Sequence, residues 1–301
     1  MSGASRDKTR QLKTLMKRPQ GIPSVGVHDA LSALVAQQAG FELLFLGGFG
    51  VSASRLGLPD LQFLGLRDME QAVSELTAVL EIPLIVDADT GHGDLPQVRR
   101  TVQRLAAAGA SGLLLEDQQS PKRCGHFRGK QVIDTSSMQA KLRVALEARP
   151  SDDFLIIART DARAVHGLDE ALLRMQAYAQ CGVAGGFVEA PQSVTELERI
   201  AHETGIPQMA NMLVGGATPI LKWQELASMG FKWVVSPIET LAVCMSALQA
   251  MMKTFLTEGS LTDFMQDKAR FEDLKSLLKL KEWQSAEADP NHARREGNNA
   301  R

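Results

Sequence analysis

Ile82-Pro83-Leu84-Ile85-Val86-Asp87-Ala88-Asp89-Thr90-Gly91-His92-Gly93 is an apolar run that ends in two aspartates and breaks on two glycines. A short run of this kind, bounded by a proline and by glycines, reads as a buried strand that delivers acids to its C-terminal end. Beyond it, the amphipathic stretch 95–108 stops at Gly109, where a left-handed helix C-cap is wanted. A second apolar run, 112–117, then ends in Glu116 and Asp117. A strand, a helix and a returning strand with its acids at the same end form the unit from which parallel sheets are built.

The unit recurs in both directions from there. Candidate strands fall at 24–28, 42–46, 82–87, 112–117, 154–160, 186–189, 207–211 and 232–236. Helical stretches lie between them at 29–38, 67–80, 95–108, 137–148, 168–181, 193–204 and 223–229. Eight such units match the rhythm of a (β/α)8 barrel, although a doubly wound open sheet shares the local alternation. The barrel is preferred because Asp87, Asp89, Glu116, Asp117, Arg159, Asp161, Glu189 and Asn211 all fall at strand C-termini, which a barrel gathers at one mouth.

The expected fold is therefore α/β, a TIM-type (β/α)8 barrel with additional C-terminal helices. A leader with one short helix covers 1–20, a single barrel domain with its C-terminal helices covers 21–284, and a disordered tail covers 285–301. The stretch 240–255 is apolar nearly all round, which suggests burial against another element or another subunit.

Composition narrows the chemistry. With 301 residues, 44% hydrophobic and 23% charged, the chain can bury a large core. A net charge of −2 and a pI near 6.3 give no electrostatic footprint for nucleic acid or an anionic membrane. No apolar run is expected to reach membrane-spanning length, and 1–18 lacks an apolar signal segment. Cys124, Cys181 and Cys244 are odd in number and too scattered for a disulfide framework or a zinc spacing. A cytoplasmic enzyme of small molecules is expected, with an organellar location as the alternative.

Asp87 and Asp89, two residues apart on an extended backbone, point the same way, and with Glu116 they suit a hard cation such as Mg2+. His92 among oxygens does not make a zinc site and reads as a loop residue. Gly47 and Gly48, in a glycine-rich stretch after the second strand, can offer backbone N–H groups to a carboxylate. Asn211, with Gly215 and Gly216, is a similar candidate. The loop Ser120-Pro121-Lys122-Arg123-Cys124-Gly125-His126-Phe127-Arg128-Gly129-Lys130 surrounds a thiol with cations, which favours thiolate over thiol.

Taken together, Lys122-Arg123-Cys124-Gly125-His126, Asp87-Ala88-Asp89-Thr90-Gly91, Glu116-Asp117-Gln118, Ala158-Arg159-Thr160-Asp161 and Leu56-Gly57-Leu58-Pro59-Asp60 resemble the isocitrate lyase and phosphoenolpyruvate mutase superfamily. The likeness runs from about Gly21 to Trp283 and is greatest to the carbon–carbon lyase branch, of the 2-methylisocitrate lyase, 2,3-dimethylmalate lyase or petal-death type. The resemblance implies Mg2+, replaceable by Mn2+, held by Asp87, Asp89 and Glu116 largely through waters. It implies Cys124, Arg159, His126 and Glu189 as catalytic residues. Gly47, Gly48, Asp60, Gly125, His126, Arg159, Glu189 and Asn211 would contact the substrate. The implied reaction is retro-aldol cleavage of a 2-hydroxy di- or tricarboxylic acid to pyruvate or another 2-oxo acid, with Cys124 donating a proton. A homotetramer that swaps a C-terminal helix between subunits is implied too.

The chain departs from that pattern at Phe45 and Gly47, where relatives carry tyrosine and serine, and at Val214, where they carry an acid. The expected consequence is a pocket suited to a more apolar substituent than a tricarboxylate offers. Oxaloacetate hydrolysis or phosphorus–carbon chemistry is the alternative within the superfamily, and a non-catalytic dicarboxylate-binding barrel is the alternative outside it.

Overall fold

The structure, a computed structural model, describes residues 3–125 and 129–288. The eight apolar runs become β1 (Ile22–Gly26), β2 (Leu44–Leu46), β3 (Leu84–Asp87), β4 (Gly112–Glu116), β5 (Leu155–Thr160), β6 (Gly185–Val188), β7 (Gln208–Asn211) and β8 (Phe231–Ser236). They pair in chain order, all parallel, and β8 returns to β1 through the register Ile22↔Trp233 to Val25↔Ser236. The sheet is thus the closed barrel expected, with no open edge. β1 begins at Ile22, two residues earlier than expected: Ile22 faces inward onto the barrel floor, while Asp29 has left the strand to cap the next helix, accepting from Ser32 N at 2.7 Å.

The helices are α1 (Gly3–Lys17), α2 (Ala30–Gln38), α3 (Gly48–Leu56), α4 (Leu66–Val79), α5 (Leu95–Ala107), α6 (Thr135–Glu147), α7 (Ala162–His166), α8 (Leu168–Ala179), α9 (Val194–Glu203), α10 (Trp223–Met229), α11 (Glu239–Glu258), α12 (Phe271–Leu277) and α13 (Leu280–Ala288). α3 and α7 are additions to the expected set. The glycines of 47–50 disguised α3, since glycine is a poor helix former.

Two apolar layers result. One lies between sheet and helices. The other fills the barrel, where Phe45, Ile85, Leu114, Ile157, Phe187, Met209 and Trp233 meet Leu12 and Leu15 of α1. The leader's helix is longer than expected, and it stoppers the N-terminal end of the barrel. Leu12, fully buried, lies against Leu155 and Gly112. Leu12→Ala should cost about 2–5 kcal/mol in urea unfolding, as other large-to-small core changes do. A loss under about 0.5 kcal/mol, the size of a surface change, would mean the leader is only an appendage.

The chain divides into two compact units, Met1–Ala242 and Val243–Arg301. The first contains the barrel. The second holds most of α11, then α12 and α13, and none of its described residues is buried. α13 runs to Ala288, past the expected start of the tail, and residues 289–301 lie outside the described part. By length and composition α11 is a helix that could cross a membrane, with 20 residues at a mean hydropathy of 1.2. That corrects the expectation that no run reaches such a length. Ser246, Gln249, Lys253 and Thr254 interrupt the apolar residues and had masked it.

Candidate active site

The strand C-termini surround a cavity of about 250 Å3. Gly47, Gly48, Asp60, Asp87, Arg159, Glu189 and Asn211 line it, together with Lys122, Cys124 and Gly125 from the loop that follows β4. Asp89 and Glu116 stand behind this lining and are reached through Lys122 and Arg159. His126 lies outside the described residues. Arg123 lines it as well, and the rest of the wall is chiefly apolar: Phe45, Leu114, Phe187 and Met209 from the strands, Leu213, Pro237 and Ile238 from the loops after β7 and β8.

Arg159 is the electrostatic centre. The parallel register places it beside Glu116 of β4 and Phe187 of β6, and its guanidinium lies over the Phe187 ring at 5.5 Å. Its Nε is 2.8 Å from Asp161 Oδ2 and 3.3 Å from Glu116 Oε2, and its Nη2 is 3.0 Å from Glu189 Oε2. Asp87 Oδ2 is 3.9 Å from Nη1. Burial alone would raise the carboxyl of Asp161, but Arg159 and Lys130 hold it below its ordinary value. Asp161 rests in turn on the buried Asp117, which accepts from Asp161 N at 2.9 Å, Thr160 Oγ1 at 2.7 Å and Tyr178 OH at 2.9 Å.

Lys122 is the second centre. Its Nζ lies 2.8 Å from both Asp60 oxygens and 2.8 Å from Asp89 Oδ1, and only 3% of its side chain is exposed. Burial opposes its charge, yet Asp89, Glu116, Asp87 and Asp60 hold its pKa above the ordinary value. The ammonium is thus committed to acids, where the sequence suggested a charge tuning the thiol. Gln62 anchors the same loop, accepting from Lys122 N at 2.6 Å, and Gln118 fixes Arg123 through its N–H at 3.0 Å.

The acids outnumber the cations here, and the surplus has consequences. Burial, and then the neighbouring Asp89, push Asp87 up to about 7, while burial drives Glu116 well above the usual range. Glu116 Oε1 is buried and accepts no hydrogen bond. Among the described residues no three His, Cys, Asp or Glu side chains converge closely enough to ligate a metal directly. An all-oxygen, acid-rich set with an orphaned carboxylate oxygen fits a hard divalent cation held chiefly through waters. Asp89 is 3% exposed, so it is a buried acid rather than one at a solvent-filled rim.

Gly47 caps α3, whose first amides, those of Gly48 and Phe49, have no carbonyl four residues back within the helix and border the cavity. Gly125 has no room for a side chain: a methyl there would overlap the Glu189 carboxylate and the Arg159 guanidinium. Cys124, half-buried, is thereby brought to the cavity. Val214 is 68% exposed and faces away, while Leu213 lines the wall. His92, in left-handed backbone (φ 58°) and with its pKa lowered by burial, borders a separate groove between α4 and α5. Asp161, Lys130, Gln62 and Tyr178 were not assigned to the site from the sequence; Asp161, a strand-end acid, and Lys130, a loop cation, carried a signal there, and Gln62 and Tyr178 carried none.

The sequence profile described as phosphoenolpyruvate phosphomutase matches residues 12–256. A carboxyvinyl-carboxyphosphonate phosphorylmutase, chloroplastic, of Arabidopsis thaliana is 42% identical over 274 residues, 89% of this chain and 81% of that one. A 2,3-dimethylmalate lyase of Eubacterium barkeri is 37% identical over 278 residues, 90% of this chain and 95% of that one. A crystal structure of a 2,3-dimethylmalate lyase superposes with a TM-score of 0.89 at 31% identity, covering 97% of each chain.

Proposed function

The chain belongs to the phosphoenolpyruvate mutase and isocitrate lyase superfamily, and from that membership we propose that it is a Mg2+-dependent carbon–carbon lyase acting on a 2-hydroxy dicarboxylic acid. The observation that carries the reading is the meeting of Cys124 with Arg159, Glu189 and Asn211 on one cavity, whose far wall is apolar. Arg159 and the amides at the start of α3 hold the 2-oxo-acid half of the substrate. Asp87, Asp89 and Glu116 would hold Mg2+ through waters, where it supplies Lewis-acid stabilisation of developing oxyanion charge. Cys124 delivers the proton that quenches the carboxylate fragment after the carbon–carbon bond breaks. His126 belongs to the same proposed machinery.

Phe45, Met209, Leu213, Pro237 and Ile238 favour an alkyl substituent over a third carboxylate, which would lose its water against them. A panel of 2-alkylmalates, 2-methylisocitrate, oxaloacetate and phosphonopyruvate, assayed for 2-oxo acid or oxalate release, tests this reading. A 2-alkylmalate should be cleaved at least about tenfold more efficiently than 2-methylisocitrate. Activity should vanish with EDTA and return with Mg2+ or Mn2+. Oxalate from oxaloacetate, or phosphate from phosphonopyruvate, as the dominant product would replace the lyase reading with the alternative chemistry.

We also propose a homotetramer of helix-swapped dimers. α11 exposes Val243, Met245, Leu248, Met252, Phe255 and Leu256 and buries nothing, a cost in water that a second copy removes. Separately, the outer face of β1 and β8 carries an open groove of about 750 Å3 lined by Phe41, Ile220, Leu221 and Trp223, where a barrel normally places its eighth helix. Sedimentation at micromolar concentration should give four subunits, and Leu248→Asp with Met252→Asp should release smaller species. A wild-type monomer excludes the assembly. A cytoplasmic location accords with three free cysteines.

A further inference from the structure

We propose that Lys130 is a positioning residue that fixes the Cys124–Gly125 backbone and the Arg159 guanidinium at once, an inference that rests on the lyase reading of the same site. Its ammonium, with 2% of the side chain exposed, donates to Asp161 Oδ1 at 2.6 Å and to the carbonyl of Gly125. A buried ammonium is tolerated only where its protons are taken up, and here the acceptors belong to two different parts of the site. Asp161 is the residue that also receives Arg159, through Nε at 2.8 Å and Nη2 at 3.2 Å. It does not yield easily, because Asp117, held by Thr160 and Tyr178, grips its backbone.

Gly125 is thus confined from two sides. The Arg159–Glu189 pair lies against its Cα, and Lys130 draws on its carbonyl. The thiol of the preceding residue inherits that placement. Lys130 acts on Arg159 by charge as well. With Lys130 present, Asp161 has two cations, and Arg159 can be shared with Glu116, Glu189 and Asp87. Without it, Asp161 loses one of its two cations and draws Arg159 toward itself, away from the cavity.

The full-length protein with Lys130→Met, and separately with Lys130→Arg, tests the proposal through iodoacetamide alkylation followed by mass spectrometry. Cys181 and Cys244 serve as internal references. In folded Lys130→Met, Cys124 should react at least about fivefold faster than in the wild type, the factor that roughly 1 kcal/mol of lost restraint gives, while the reference rates stay constant. On the best substrate found, kcat should fall about a hundredfold with KM within about threefold, as a misplaced but still bound reaction demands. Lys130→Arg should restore part of both. An unchanged Cys124 rate in folded Lys130→Met overturns the proposal, and so does a wild-type kcat in that variant. The alkylation arm needs no substrate, so it decides even if the proposed reaction is wrong. Should Lys130→Met not fold, Lys130→Arg carries the same expectation at smaller size.

Discussion

Arg159→Met should abolish measurable turnover and cost about 3–5 kcal/mol of stability, the usual consequence of removing one member of a buried ionic cluster. The guanidinium lies against Glu116, Asp161 and Glu189, all of them nearly or fully buried, and against Asp87 at 3.9 Å. A thioether replaces the aliphatic stem but not the guanidinium head and neutralises nothing, so four acids must share the remaining cations or take up protons. Turnover falls for a different reason, because the same guanidinium faces the cavity where the substrate's carboxylate would bind. The two losses separate in Arg159→Lys, which restores a charge without the planar fork and should recover stability more than activity. Urea unfolding and the substrate panel read both. If Arg159→Met unfolds at the wild-type midpoint and still cleaves, Arg159 has neither role.

Cys124→Ser should retain substrate affinity and lose about 10²- to 10⁴-fold in kcat, the range that a positioned proton donor contributes. The swap is nearly isosteric, and Cys124 is half-buried, so the fold should be indifferent to it. A serine hydroxyl is far less acidic than a thiol, and the fragment left by bond cleavage would wait for a proton. Calorimetric binding with unchanged affinity, beside the lost kcat, identifies a chemical role. Wild-type turnover in Cys124→Ser would leave the residue as part of the wall only.

The barrel could be read in the sequence because its signal is local: each apolar run is followed within a few residues by an acid, an amide or a glycine, and the period changes at each helix. The same locality exposed Asp87, Asp89, Glu116, Arg159, Glu189 and Asn211, which sit at strand ends. What stayed hidden depends on distance along the chain. Lys122 finds Asp60 across 62 positions and Tyr178 finds Asp117 across 61, pairings that follow only from strand order and register. Lys122 and Lys130 looked free to tune a thiol because their acids, Asp60, Asp89 and Asp161, lie elsewhere in the sequence. Val214 was misread for a related reason: one residue along a loop reverses which side chain meets the cavity, and Leu213 is the one that does.

α1 has a consequence for how the molecule comes into being. It leaves the ribosome before any of the strands, yet the floor that receives Leu12 and Leu15 includes Trp233 and Val235, which are made last among the strands. Until β8 joins β1 there is neither a ring for the leader to stopper nor a rim to gather the acids. Such contacts between distant parts of a chain are slow to form, because the loop must close before any contact rewards it. The nascent protein therefore carries α1 with its narrow apolar face, Leu12 and Leu15, unpaired until the ring closes, when floor and mouth form together. A chain ended before Phe231 would be no weaker version of this protein, for it would hold neither the stopper nor the site.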